Sequence, residues 1–335
     1  MIVHSATVQH IPDWQRQLNQ AISDAGELLD LLELERGLLP AAKLAARRFP
    51  LRVPHSFVAR MKKGDADDPL LRQVLPLGVE TEETPGYTLD PVGDLNAMPR
   101  PGLLHKYQGR ILLLTTGACA IHCRYCFRRH FPYAAANPLR NDWSEAMNYI
   151  ASDPSIHEVI LSGGDPLVLS DRRLAHLGAA LEGISHVRCM RIHTRLPIVL
   201  PDRIVKSLLG WLNELRLHKV IVIHSNHANE LDDCVARALN KLASTGAVLL
   251  NQTVLLRGIN DNAKALSNLS NALFEIGVLP YYLHLLDKVQ GSAHFDVNVE
   301  HARALVKTLN GSLPGYLVPR LVREQSGALG KSPVI

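Results

Sequence analysis

The chain has 335 residues, of which 47% are apolar and 20% are charged. These fractions are close to globular averages and exclude a disordered, collagen-like or coiled-coil chain. The 36 basic and 32 acidic residues nearly balance and only 5% of residues are aromatic, so composition gives no support for nucleic-acid binding. No run of 18 apolar residues occurs, and polar residues are spread through residues 1–20. We therefore expect neither a membrane span nor an export signal.

The N-terminal part has a helical pattern. Helices are predicted over residues 12–63, where leucines form one broad face and Pro40, Pro50 and Pro54 interrupt the pattern. Five prolines between residues 76 and 101 then favour extended, irregular backbone. Residues 1–100 are therefore predicted to be a helical N-terminal region that ends in a Pro-rich linker.

The pattern changes near residue 101 to short apolar runs that alternate with amphipathic stretches. Strands are predicted at residues 111–114, 159–161, 187–192, 220–223, 248–256 and 281–286. Helices are predicted between them, for example at residues 143–151, 171–181, 202–215, 230–244 and 263–276. Six strand-helix repeats favour a parallel sheet, either a partial barrel or a doubly wound sheet, with the site at the carboxyl ends of the strands. This unit is assigned to residues 101–290, and a further helix and strand to the C-terminal segment, residues 291–335.

Five cysteines is an odd number and a low density, which favours a reducing cytoplasm over a disulfide scaffold. Three of them, Cys119, Cys123 and Cys126, lie within eight residues, directly after the first predicted strand. Zinc would need a fourth ligand such as His122 or His130. Three thiolates without a fourth ligand are typical of a four-iron cluster that leaves one iron open to a small molecule. Spacing alone leaves both kinds of metal site open.

The cysteine motif, with Tyr125 before the last cysteine, resembles the radical S-adenosylmethionine superfamily, and further segments resemble its lysine 2,3-aminomutase family. The matching segments are residues 105–110, CRYCFRR at 123–129, LSGGD at 161–165, HSNH at 224–227, NQTVLLRGIND at 251–261 and GKSP at 330–333. The resemblance covers roughly residues 100–333. It implies a partial (β/α)6 barrel and an isomerase that moves an amino group from the α to the β carbon of L-lysine.

The resemblance also implies a [4Fe-4S] cluster, S-adenosylmethionine and pyridoxal 5′-phosphate. The three cysteines would bind the cluster, and its open iron would bind S-adenosylmethionine. At strand ends, glycine lets backbone approach a ligand and a carboxylate can accept hydrogen bonds from an ammonium group. The residues expected to contact S-adenosylmethionine are Ser162, Gly163, Gly164, Asp165 and His224, with His227 as a weaker candidate.

A lysine near the C-terminus matches the family residue that binds pyridoxal phosphate covalently, a usual role for a nucleophilic lysine. This residue is Lys331, and Arg110 and Gln252 are expected to help hold the cofactor. The sequence departs from the family at Ala328 and Leu329, where a glycine run is common.

Substrate contacts also follow from the resemblance. Arg128 matches the arginine that pairs with the substrate carboxylate, for which a planar guanidinium is suited. Asp287 and Glu324 match two acids that face the ε-ammonium of lysine, although the second is usually Asp in the family. The alternatives left open are an aminomutase for another amino acid, such as glutamate, and a non-catalytic zinc-binding interaction module. Cys189 and Cys234 are expected to be core thiols.

The chain ends four residues after Lys331. In this shortness it resembles the subgroup that makes (R)-β-lysine for the modification of translation elongation factor P. The partners implied are L-lysine, an electron donor for the cluster and the ligase that acts on elongation factor P.

Overall fold

The computed structural model describes residues 13–136 and 143–335. The start of the predicted helical region at Pro12, and the part of the export-signal interpretation that concerns residues 1–12, lie outside the described residues. Helices are present in the rest of the N-terminal region, and irregular backbone with short 3-10 turns follows them. The helices are α1 (Asp13–Asn19), α2 (Ala25–Leu31), α3 (Leu39–Arg48) and α4 (His55–Val58).

A sheet and its surrounding helices form the remainder of the described chain. The strands are β1 (Leu103–Tyr107), β2 (Arg110–Thr116), β3 (Glu158–Gly163), β4 (Cys189–Thr194), β5 (His218–His224), β6 (Val248–Val254), β7 (Leu279–His284), β8 (Arg320–Arg323) and β9 (Ser332–Pro333). The helices are α5 (Ser144–Ser152), α6 (Asp171–Glu182), α7 (Leu196–Val199), α8 (Lys206–Glu214), α9 (Asp233–Ala243), α10 (Ala263–Glu275) and α11 (Val299–Ser312).

The strand order follows the chain from β1 to β9 without reversal. Neighbouring strands from β2 to β8 pair in parallel, while β1 and β9 pair antiparallel at the two edges. A doubly wound sheet would reverse its order at a switch point. The arrangement is therefore the predicted partial barrel, and β8 adds one parallel strand to the six repeats. The sequence pattern missed both antiparallel edge strands.

Some of the helices, including α9 and α10, begin at side chains that cap free backbone N–H groups. Asp232 accepts a hydrogen bond from Val235 N at the start of α9, and Asn262 accepts one from Ala265 N at the start of α10. Such caps satisfy donors that have no partner within the helix. The two caps fix the first residues of α9 and α10, each of which follows the loop after a strand.

Side chains alternate between two faces along each strand. On β4, Met190 and Ile192 are buried in the hydrophobic core under the helices, while Arg191 and His193 line a central cavity. The N-terminal helices share this core, because Leu28 and Leu29 on α2 are fully buried in it. The inner face of the sheet is therefore free to carry polar groups. Within the described residues, no helix has the length and apolar character to cross a membrane.

Candidate active site

A cavity of about 400 Å³ lies along the inner face of the sheet and opens around the carboxyl ends of the strands. Its lining brings together the site residues proposed from the sequence, except the weaker candidate His227. They are Arg110, Cys119, Cys123, Cys126, Arg128, Ser162, Gly163, Gly164, Asp165, His224, Gln252, Asp287, Glu324 and Lys331. The cysteines and Lys331, more than 200 residues apart in the chain, therefore meet at one cavity.

The cysteine loop, residues 117–126, packs closely against the end of β3. Gly164 N donates to Thr116 O over 2.7 Å, and Asp165 N donates to Ala118 O over 2.8 Å. A Cβ atom at Gly164 would lie 2.1 Å from Ala118 O, and Gly163 has a φ of +116°. Neither position accommodates a larger residue without movement. The two glycines thus position the loop that carries the cysteines.

The same loop is tied to the N-terminal region by a buried acid. Arg124 is fully buried, and its Nη2 donates to Glu80 Oε2 over 2.6 Å. Arg129 donates to the same oxygen over 2.8 Å, and Arg124 Nη1 also donates to Phe49 O over 2.9 Å. A buried charge pair of this kind is strongly destabilised when one partner is removed. The N-terminal helices therefore help to hold the cysteines in place.

The chemistry of the cysteine loop fits the four-iron cluster. Burial raises the pKa of Cys126 to about 11 and that of Cys119 well above its ordinary value. Such thiols are held as thiolates by bound cations. Cys119, Cys123 and Cys126 all line the cavity, and four-iron clusters are held by cysteine thiolates.

The histidines considered as fourth zinc ligands make other contacts. His122 Nδ1 lies 2.9 Å from Pro50 O, and His130 Nε2 lies 3.1 Å from Gln290 O. Since a carbonyl oxygen only accepts, each of these ring nitrogens is a donor to backbone.

Arg195 was not identified from the sequence. It follows β4 directly, and its Nη1 donates to Cys123 Sγ over 2.8 Å. Its Nη2 donates to Gln73 Oε1 over 2.6 Å and to Glu230 Oε2 over 2.9 Å. The available signal was its place three residues after the predicted strand at residues 187–192, which is less direct than that of Ser162, the residue that follows the strand predicted at 159–161.

Asp165 differs from its expected role. Its Oδ1 accepts from Leu167 N over 3.0 Å and from Thr194 Oγ1 over 2.7 Å. Its Oδ2 accepts from Arg195 N over 2.7 Å and from Leu196 N over 3.0 Å. A carboxylate has about four acceptor positions, and all are used here. The expectation that Asp165 accepts a hydrogen bond from an ammonium group is therefore corrected: this carboxylate joins the ends of β3 and β4.

Two weaker sequence expectations also change. His227 is absent from the cavity lining, and its Nδ1 accepts from Asn229 N over 3.2 Å at the start of a short turn. Cys234 is exposed on α9 instead of lying in the core, because it occupies the solvent side of that helix. Cys189 is partly buried in β4.

Arg128 is fixed by the Pro-rich segment. Its Nε donates to Asp94 Oδ2 over 2.7 Å, and its Nη1 lies 3.3 Å from Ser162 Oγ. Lys106 Nζ lies 2.6 Å from the other oxygen of Asp94. Burial alone would raise the pKa of Asp94. The charges of Arg128 and Lys106 outweigh this effect and lower that pKa below its ordinary value. Asp94 thus orients a guanidinium at the cavity wall, a role that the sequence did not suggest for it.

The antiparallel pairing of β8 with β9 brings Glu324 and Lys331 side by side. Lys331 Nζ donates to Glu324 Oε2 over 2.8 Å. Tyr107 donates its hydroxyl to the other carboxylate oxygen, and Lys106 Nζ lies 3.8 Å from it. Burial alone would raise the pKa of Glu324, but the charge and hydrogen bond of Lys331 lower it. Glu324 is therefore an ionised acid next to the only reactive amine we assigned from the sequence.

Buried side-chain nitrogens without partners in the described structure line the cavity. They are Arg110 Nε, His193 Nε2, His224 Nε2, Gln252 Nε2 and His284 Nε2. Arg110 Nε and Gln252 Nε2 are donors, whereas each neutral histidine Nε2 donates or accepts according to its tautomer. Burial lowers the pKa of His224 to about 4, so its imidazole is neutral near pH 7. An unsatisfied buried donor costs about 1–3 kcal/mol. The cavity therefore fits a ligand rich in acceptor oxygens, as pyridoxal phosphate is, within reach of Lys331.

Asp287 is an acid without a partner on the cavity wall. None of the hydrogen bonds found among the described residues involves its carboxylate, whereas its backbone carbonyl accepts from Val289 N. Burial raises its pKa to about 7, although the charge of Lys331 acts in the opposite direction. This carboxylate is free to receive a cationic group.

Known proteins resemble this chain in sequence. No family model matches the chain. An L-lysine 2,3-aminomutase from Escherichia coli is 50% identical over 96% of this chain and 94% of its own length. An L-lysine 2,3-aminomutase from Haemophilus influenzae is 46% identical over 96% of this chain and 95% of its own length. Among solved structures, native anSMEcpe with bound AdoMet and a Cp18Cys peptide aligns with a TM-score of 0.46 at 12% identity, over 60% of this chain and 58% of that one.

Proposed function

The chain belongs to the L-lysine 2,3-aminomutase family, and from that premise we propose that it converts L-lysine into β-lysine. Family members are isomerases that use a four-iron cluster, S-adenosylmethionine and pyridoxal phosphate. The observation that carries the proposal is the cavity shared by the cysteine loop and Lys331. A zinc-binding interaction module would not require that juxtaposition.

The cofactors supply the difficult chemistry. When bound, the cluster with S-adenosylmethionine would supply radical chemistry for the removal of a hydrogen atom, and pyridoxal phosphate would supply the carbonyl carbon that holds the migrating amino group. Cys119, Cys123 and Cys126, which line the cavity, would hold the cluster. Lys331 holds pyridoxal phosphate, with Arg110 and Gln252 as donors to its oxygens.

The remaining groups orient lysine. Arg128, fixed by Asp94, binds the α-carboxylate with the part of its guanidinium that Asp94 leaves free. Asp287 and Glu324 bind the ε-ammonium, because both are acids on the same cavity wall. Their combined negative charge disfavours glutamate, whose side chain has the same sign. Arg128 is 8% exposed and the side chain of Glu324 is 11% exposed, and this burial limits the access of water to a substrate bound between them.

The proposal extends to the use of the product. We propose that the β-lysine is delivered as the (R) isomer to a ligase that modifies elongation factor P, and that a one-electron donor reduces the cluster. Anaerobic mixing of the reconstituted enzyme with S-adenosylmethionine, pyridoxal phosphate, a reductant, ATP, lysine, elongation factor P and its ligase should attach β-lysine to the factor. A factor modified equally without this enzyme would contradict this use.

The test of the reaction itself is an anaerobic assay. The reconstituted chain is incubated with each of a panel of amino acids, and the products are separated by chromatography. We expect β-lysine from L-lysine and no β-glutamate from glutamate. The matched control is Lys331→Ala, which should retain the cluster and form no product. If the chain converts glutamate faster than lysine, the lysine assignment is wrong and the chain is an aminomutase for another amino acid.

A further inference from the structure

We propose that Arg195 is a positioning residue that raises the reduction potential of the iron-sulfur cluster through the thiolate of Cys123. The inference rests on the proposed assignment of the cluster to the three cysteines. It adds a residue outside the cysteine motif to the part of the chain that controls the cluster.

The contact joins a guanidinium to a sulfur ligand. Arg195 Nη1 lies 2.8 Å from Cys123 Sγ, and Arg195 has only 6% of its surface exposed. Hydrogen bonds to the sulfurs and the net charge around a cluster are among the factors that set its potential. A buried positive charge favours the reduced state, because that state carries one more electron. Arg195 therefore makes the cluster easier to reduce.

Arg195 is held in this position by groups on three other segments. Its Nη2 donates to Gln73 in the N-terminal region and to Glu230, which is fully buried. Glu230 also accepts from Asn226 N over 2.8 Å. The ring of Tyr125, within the cysteine loop, lies 5.8 Å from the guanidinium carbon. This network leaves Arg195 little freedom to turn away from Cys123.

The network also contains a group with the opposite effect on the reduction potential of the cluster. Glu230 places a negative charge 2.9 Å from the guanidinium and so offsets part of its field at the cluster. Removing the charge of Arg195 should lower the potential, whereas removing the charge of Glu230 should raise it. A purely structural role of the network does not predict shifts of opposite sign.

The experiment uses the full chain, reconstituted anaerobically with iron and sulfide. The variants are Arg195→Gln, Arg195→Lys and Glu230→Gln. The matched control is Arg237→Gln, since Arg237 Nη2 makes a 3.0 Å contact with Cys234 Sγ at an exposed position away from the cysteine loop. The readouts are iron and sulfide content and the midpoint potential, obtained by titration with a chemical reductant and EPR detection of the reduced cluster.

We expect Arg195→Gln to shift the reduction equilibrium about tenfold toward the oxidised cluster, which is 59 mV for one electron. Glu230→Gln should shift it in the opposite direction, Arg195→Lys should lie between wild type and Arg195→Gln, and Arg237→Gln should match wild type. Equal potentials in all variants, or shifts of the same sign for Arg195→Gln and Glu230→Gln, would overturn the inference.

Two further outcomes are informative. Loss of the cluster from both Arg195→Gln and Glu230→Gln would also overturn the inference, because the network would then support the loop and not set the potential. A wild-type chain that binds no iron and sulfide would instead defeat the proposed cluster itself. The failure of the inference and the failure of the proposed function are thereby separated.

Discussion

Lys331 and Glu324 form an ion pair inside the cavity, with Lys331 Nζ 2.8 Å from Glu324 Oε2. The pairing of β8 with β9 determines this contact, because the two residues flank the ends of those strands. The same carboxylate is proposed to bind the ε-ammonium of lysine. Glu324 can therefore pair with Lys331 before pyridoxal phosphate binds and with the substrate afterwards.

Covalent labelling tests the assignment of Lys331. Borohydride reduction of the enzyme with pyridoxal phosphate, followed by peptide mapping, should place the label on Lys331. Its amine lines the same cavity as the partner-free Arg110 Nε and Gln252 Nε2 and, among the described residues, pairs with Glu324 alone, whereas the amine of Lys106, the nearby competitor, is held by both Asp94 over 2.6 Å and Val92 O over 2.8 Å. A label on Lys106 would show that the assignment is wrong, and the cluster proposal would remain.

Replacing the cysteines tests the cluster. Cys119→Ala, Cys123→Ala or Cys126→Ala should each remove iron, sulfide and cleavage of S-adenosylmethionine together, because each removes a thiolate ligand. Iron and sulfide analysis with chromatography of deoxyadenosine measures all three properties. Cys234→Ala is the control, since Cys234 is exposed on α9 and outside the cavity lining. If one of these three cysteine variants retains a full cluster and cleaves S-adenosylmethionine, the assignment is wrong.

Replacing Asp287 tests whether its carboxylate binds the ε-ammonium of lysine. Asp287→Asn should lower kcat/KM for lysine by about tenfold to a hundredfold, since a charge-assisted hydrogen bond contributes roughly 1.5–3 kcal/mol. Cluster and pyridoxal phosphate content should not change.

The pH profile follows from the raised pKa of Asp287. Burial raises this pKa to about 7, and only the ionised carboxylate attracts an ammonium group. In wild type, kcat/KM for lysine should therefore fall as pH decreases below about 7. This decrease of kcat/KM at acidic pH should disappear in Asp287→Asn. If the decrease persists in that variant, a group other than Asp287 titrates.

Glu80 gives a prediction on stability. Glu80→Ala leaves the buried charges of Arg124 and Arg129 without their carboxylate, and the free energy of unfolding should fall by about 3–5 kcal/mol. The matched control is Glu33→Ala, which removes an exposed pair with Lys63 and should cost at most about 1 kcal/mol. Denaturant unfolding measures both. Equal losses in the two variants would contradict the anchoring role of Glu80.

The local patterns in the sequence located the parallel strands and the cysteine loop, because alternation and spacing are properties of neighbouring residues. They did not identify Arg195, whose partner Gln73 lies 122 residues away in the chain. They also assigned a ligand role to Asp165, whose acceptor positions are used by β4 and the residues after it. Which hydrogen bonds a buried polar group makes depends on contacts between distant segments, and no single-sequence pattern records those contacts.

The fate of the β hydrogen of lysine tests the central claim most directly. The reconstituted enzyme is supplied with S-adenosylmethionine, a reductant and L-lysine deuterated at the β carbon, and the products are analysed by mass spectrometry. If the cluster and Lys331 act on one lysine in one cavity, deuterium should appear in the deoxyadenosyl group and in β-lysine. Formation of β-lysine with deuterium released only to water, or no β-lysine at all, would contradict the account.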